Sequence, residues 1–163
     1  MKTKLTKMIT QIAVTLVALV ATTSFVAAHD RDSANPNNPA SIVGVWQVVR
    51  HGVNCNTGQD LFYYSAFETF HADGTMSGDF GFAGGTREYG VWRWEPGSHT
   101  YSLRKTSFDV DENGQLSGSS VATVSVVLTS PNTITQTSTV QFFDANENLL
   151  FTRCGRADGT RFQ

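Results

Sequence analysis

From Ile42 onward, apolar and β-branched stretches alternate with short clusters of Gly, Asp, Asn, Ser and Pro, and no stretch keeps a helical period. The two-residue alternation predicts eight strands, at 43–49, 61–70, a short one around Met76, then 89–94, 100–110, 116–129, 133–143 and 149–155. Turn residues separate them: Asn56 and Gly58, Asp73-Gly74, a glycine-rich stretch through Gly81, Gly84 and Gly85, Pro96-Gly97, Asp111 to Gly114, Pro131-Asn132, and Asp144 to Asn146. Short turns force antiparallel neighbours, so the pattern predicts an up-and-down meander. An open meander of this length leaves two long edges free to aggregate, and closure removes both. The expected fold is all-β: an eight-stranded antiparallel barrel over 42–163, as a single domain.

The first 41 residues have a different texture. Lys2, Lys4 and Lys7 precede an apolar run from Ile12 to Val20 and a small-residue stretch ending at Ala27-Ala28. That order of charged, apolar and small segments is the pattern of a secretory signal, with cleavage expected after Ala28. Thr10, Gln11, Thr15, Thr22 and Thr23 interrupt the run, which argues against a membrane anchor. Residues 29–41 are polar and proline-punctuated and read as a disordered lead-in. The expected location is secreted or periplasmic.

Loss of the leader removes three of the twelve basic residues and none of the fourteen acidic ones, leaving a net charge near −5. A mildly acidic domain without a basic run is a poor nucleic-acid binder. Both cysteines, Cys55 and Cys154, lie in the mature region, and in an oxidising compartment they pair. Cys55 follows the first strand and Cys154 lies in the last, the two elements that closure brings together. A bridge closing a loop of roughly 100 residues contributes about 4–5 kcal/mol on the chain-entropy account.

Candidate chemistry is sparse. Asp109 to Gly114 matches the opening of a calcium-hand loop, but its twelfth position is Ser120 instead of Glu, so a hairpin turn is the expectation. The histidines (His29, His51, His71, His99) show no metal-site spacing, and no nucleophile elbow or phosphate-cradling loop is present. No cofactor is expected. The interior carries the interest. If Trp46 points inward, so do Val48 and Arg50; Tyr64, Ala66, Glu68 and Phe70 share a face, as do Trp92 and Trp94. Tyr101, Leu103, Ala122, Val124, Val126, Ile134, Gln136, Val140 and Phe142 extend that lining. An inward Glu68 requires a partner, for which Arg50 is the candidate, or a raised pKa; an outward Glu68 is a solvated charge.

Gly44-Val45-Trp46 on the first strand of such a meander resembles the glycine-any-tryptophan opening of lipocalins and the wider calycin group. The resemblance implies a barrel plugged at one end by the tryptophan, with an arginine from near the chain's end packed over it; Arg153 and Arg156 are the candidates. The repeated Gly90-Val91-Trp92 and the compact size are also similar to smaller lipocalin-like barrels, including allene oxide cyclase and related cyclases.

Three functional readings follow. The first is a non-catalytic exported barrel binding a small, largely apolar ligand through Trp46, Arg50, Tyr64, Glu68, Phe70, Trp92, Trp94, Tyr101, Gln136 and Phe142. The second, implied by the cyclase resemblance, is an enzyme using Glu68, Arg50 and Tyr101. The third is a structural or protein-binding module, such as an inhibitor, with residues 78–88 as its protruding loop.

Overall fold

The computed structural model describes residues 41–80 and 86–163. The leader, nearly all of the lead-in with His29, and the glycines at 81, 84 and 85 lie outside the described residues. Eight strands are present: β1 (Gly44–Val53), β2 (Asp60–Phe70), β3 (Thr75–Phe80), β4 (Arg87–Glu95), β5 (Thr100–Val110), β6 (Leu116–Ser130), β7 (Thr133–Asp144) and β8 (Leu149–Arg161). Each pairs antiparallel with its sequence neighbours, and β1 pairs with β8, so the meander closes into a barrel.

Tight turns hold the strand order. The Asp73 carboxylate accepts from the Thr75 amide at 2.9 Å, and Gly74 takes a left-handed φ of 87°. Asp111 does the same for the amides of Asn113 and Gln115, both at 2.9 Å, with Gly114 at φ 75°. The calcium-hand text is therefore a hairpin loop whose first turn carboxylate is spent on backbone N–H groups. At the seam, β1 and β8 are in register from Trp46↔Arg161 to Val53↔Cys154, and the Cys55–Cys154 disulfide clips its upper end, with Cα atoms 5.1 Å apart.

Two strand expectations need correction. The last strand runs to Arg161, six residues past 155, because Ala157 and Gly159 continue its inward face. Ala157-Asp158-Gly159 has the composition of a turn, yet Gly159 serves close packing: a Cβ there would overlap Val48 and Ile134. Residues 78–80 and 87–88 belong to β3 and β4, so the proposed protruding loop is shorter than 78–88.

The barrel's interior is divided along its axis. At the end where β1 begins, Ile42, Trp46, Phe70, Met76, Trp92, Tyr101, Leu103, Val126 and Ile134 form a dry core. Trp92 packs edge-on against Phe70 and Tyr101, at 6.3 and 5.6 Å between ring centroids. Each buried indole finds acceptors: Trp46 Nε1 donates to the Ile42 carbonyl at 2.8 Å, and Trp92 Nε1 to those of His71 and Thr75.

The arginine over Trp46 is Arg161, 4.3 Å from the ring, and not Arg153 or Arg156. Pairing of Trp46 with Arg161 across the seam decides this. Arg153 stands at the opposite end of β8, and Arg156 faces outward to Asp60. Arg161 also donates to the carbonyls of Ser41, Val43 and Pro131, which ties the entry of β1 and the β6–β7 turn across this end.

Candidate ligand-binding site

Where the tryptophan core stops, the inward positions of five strands become polar. Arg50 on β1 follows Trp46 and Val48; Glu68 on β2 lies between Ala66 and Phe70. Glu88 opens β4 two residues before Gly90, Lys105 follows Leu103 on β5, and Gln136 follows Ile134 on β7. All five side chains are buried, Glu68 completely. Arg50 Nη2 donates to Glu68 Oε1 at 2.5 Å and to Glu88 Oε2 at 2.6 Å. Lys105 Nζ donates to the same two oxygens, at 2.8 and 2.9 Å, and Gln136 Nε2 to Glu68 Oε2 at 2.6 Å. Two cations and two carboxylates thus form a closed, neutral quartet at mid-barrel.

Isolated charges would not survive this burial; each is held by its two counterions. Burial pushes the Glu68 carboxyl up, but Lys105 and Arg50 together outweigh it and leave the group at about 2. Burial likewise opposes ionisation of Glu88, and the same two cations hold it below its ordinary range. Desolvation works against the Arg50 guanidinium, whereas Glu68 and Glu88 keep it protonated beyond the usual arginine range. Glycines make the space: a Cβ at Gly90 would overlap the root of Lys105, and one at Gly78 would crowd a Glu88 oxygen.

The quartet is a floor. Above it the barrel holds a cavity of about 480 Å³, within the roughly 300–1,000 Å³ typical of small-molecule sites. Phe62, Tyr64, Phe80 and Phe142 supply aromatic wall; Ser107, Ser120 and Ser138 supply hydroxyls. The space exists because inward positions there are small, among them Gly52, Ala122, Gly155 and Ala157, where the closed end carries tryptophans. Gly52 is required by the wall itself, since a Cβ would enter the Phe62 ring. At the mouth Arg153 lies over the Phe62 and Phe151 rings, at 5.4 and 5.0 Å, and Phe151 stacks on Phe142 at 4.6 Å. Leu61, Leu149, Leu150 and Phe151 around the mouth are exposed.

The structure divides the residues named from sequence. Arg50, Tyr64, Gln136 and Phe142 line the cavity. Glu68 faces inward and is paired with Arg50, but it is sealed beneath the floor. Trp46, Phe70, Trp92 and Tyr101 belong to the dry core, and Trp94 packs beside Tyr101 at its tip, 4.7 Å between centroids. The proposed catalytic trio is accordingly split, with Tyr101 in the closed half and Arg50 on the cavity floor.

Sequence reasoning missed Glu88 and Lys105. The signal was present: Glu88 shares its face with Gly90 and Trp92, and Lys105 with Tyr101 and Leu103. A charged residue continuing an inward alternation reads by default as solvated, and neither had a partner nearby in sequence. Of the histidines, His51 Nδ1 lies 3.1 Å from Asp60 and His71 Nε2 3.1 Å from Ser77. Among the described residues no three His, Cys, Asp or Glu side chains converge as a metal site, and no helix is long and apolar enough to cross a membrane.

The geometry defines a closed eight-stranded antiparallel barrel, consistent with a lipocalin-like one, that is packed in one half and hollow in the other. The chain matches no protein-family model, no curated protein and no solved structure.

Proposed function

We propose that the chain is an exported barrel that binds a small, largely apolar molecule in its hollow half, without converting it. The observation that carries this reading is the 480 Å³ cavity, walled by aromatic rings and floored by charges that satisfy one another. A floor of that kind resists collapse, because its charges are oriented by each other and do not depend on a ligand for pairing. The apolar mouth favours entry of an apolar molecule from water. The Cys55–Cys154 bridge and the signal-like leader support export to an oxidising compartment.

Titration calorimetry with ethylnaphthalene tests the reading, on wild-type protein and on Ser138→Trp, which places an indole in the hollow. Tryptophan fluorescence is a poor readout, since Trp46 and Trp92 lie in the closed core. Saturable binding by the wild type, lost in the variant while its melting temperature is kept, is the expected result. Absence of binding to the wild type, or equal binding to both proteins, would overturn it.

A further inference from the structure

Arg50, Lys105 and Arg153 are the cations that the inward faces of β1, β5 and β8 carry to the cavity. Arg50 and Lys105 are spent on Glu68 and Glu88. Arg153 follows Ala157 and Gly155 along its face of β8 and stands exposed at the mouth, where no carboxylate among the described residues pairs with it. Its guanidinium carbon lies over the Phe62 and Phe151 rings, at 5.4 and 5.0 Å, and those rings accept none of its N–H groups as a carboxylate would. Phe151 in turn stacks on Phe142 of the cavity wall. At the next inward level Gly52 and Gly155 pair across the seam and add no side chain. The mouth therefore sets an unneutralised cation on an aromatic shelf that continues into the hollow.

One carboxylate shares the inward face near the mouth. Asp109 stands on β5, three strands from β8 and so about 14 Å away along the sheet. Its neighbours on that face are Ser107, Gly118 and Ser120, whereas Phe62, Phe142 and Phe151 lie on the side of Arg153. An apolar body resting on the rings brings its outer end to Arg153 and not to Asp109. Two other carboxylates of this end are engaged: Asp60 with Arg156 and His51, Asp144 with Asn146 and Asn148. The inner end of a ligand meets a floor already neutral as a set, so a ligand's charge belongs at the mouth, where it also keeps its contact with water. Resting on the ligand-binding reading above, we infer that the ligand is an amphiphilic carboxylic acid. Its apolar body fills the hollow, and its carboxylate sits at the mouth on the planar fork of Arg153.

Three probes alike in shape separate the elements of this inference: naphthoate, ethylnaphthalene and aminomethylnaphthalene, substituted at the same ring position. Calorimetry compares each probe with itself on wild-type protein, Arg153→Gln and Asp109→Asn, so differences in solubility between probes cancel. Both substituted side chains are exposed, and the variants leave the core and the quartet intact. Naphthoate is expected to bind Arg153→Gln about tenfold more weakly than wild type, the value of one charge-assisted hydrogen-bonded pair. Its binding to wild type is expected to weaken with added salt, and Asp109→Asn is expected not to weaken it. Ethylnaphthalene is expected to bind all three proteins alike. Unchanged naphthoate binding by Arg153→Gln, or equal loss of naphthoate and ethylnaphthalene, would overturn the carboxylate at Arg153 while leaving the cavity reading standing. Tighter wild-type binding of aminomethylnaphthalene than of naphthoate, lost in Asp109→Asn, would overturn the sign of the ligand's charge. Failure of all three probes to bind the wild type would overturn both readings.

Discussion

Replacing Glu68 by Gln removes one negative charge from a site of no solvent exposure while keeping the side chain's size. Arg50 and Lys105 are then left with Glu88 alone, and the Gln136 amide loses a carboxylate acceptor. Breaking a buried ion pair by removing one partner costs about 3–5 kcal/mol. The proton linkage gives an independent figure. Glu68 falls from an ordinary 4.5 to about 2, and at about 1.4 kcal/mol per tenfold change in proton affinity its ionised form contributes about 3 kcal/mol. A folded-state pKa below the unfolded value stabilises the fold above the unfolded value. That contribution is therefore complete above about pH 4.5 and is lost as the pH falls toward 2. Urea unfolding followed by circular dichroism is the assay, at neutral pH and through the acid range. The variant is expected to lose about 3–5 kcal/mol at neutral pH and to show a shallower acid limb. Adding Lys105→Met restores neutrality and is expected to recover at least about 1 kcal/mol of the loss, because the uncompensated buried cation is gone. A single variant within about 1 kcal/mol of wild type, or a double variant less stable than the single one, would refute the quartet as the balanced centre of the barrel.

Arg161→Ala removes a cation from the Trp46 face and three donors from the carbonyls of Ser41, Val43 and Pro131; a loss of about 2–4 kcal/mol and a red-shifted Trp46 emission are expected in thermal and fluorescence unfolding. The paired Cys55→Ser and Cys154→Ser variant is expected to lose about 2–5 kcal/mol yet keep a native far-ultraviolet spectrum, because the seam is also paired from Trp46 to Val53; loss of the strand spectrum would show that the bridge alone closes the barrel. Gly52→Val drives a side chain into the Phe62 ring and is expected to cost about 1–3 kcal/mol while shifting the Phe62 ring resonances; an unchanged ring would place Phe62 elsewhere than in the cavity wall.

Strand count, order and direction were legible in the chain because they rest on local chemistry. Asp73-Gly74 and Asp111 to Gly114 dictate tight turns, tight turns dictate antiparallel neighbours, and the edge problem dictates closure. The inward face of β1 followed from a single assignment, since Trp46, Val48 and Arg50 stand two residues apart. Local rules failed where a residue's role is defined by a distant strand. Gly159 looks like turn punctuation until Val48 and Ile134 are seen against it, and Arg161 gains its role over Trp46 only when the first and last strands align.

The sequence by itself determined the barrel, because period-two alternation and turn residues act between near neighbours in the chain. Only the tertiary structure decided that the interior is half core and half cavity, since that depends on tryptophans and small residues from separate strands falling at different heights. It alone also assembled Arg50, Glu68, Glu88, Lys105 and Gln136, which five strands carry. A buried charge is tolerable only beside its counterion, and those counterions meet through register across the sheet, a property no single stretch of chain contains.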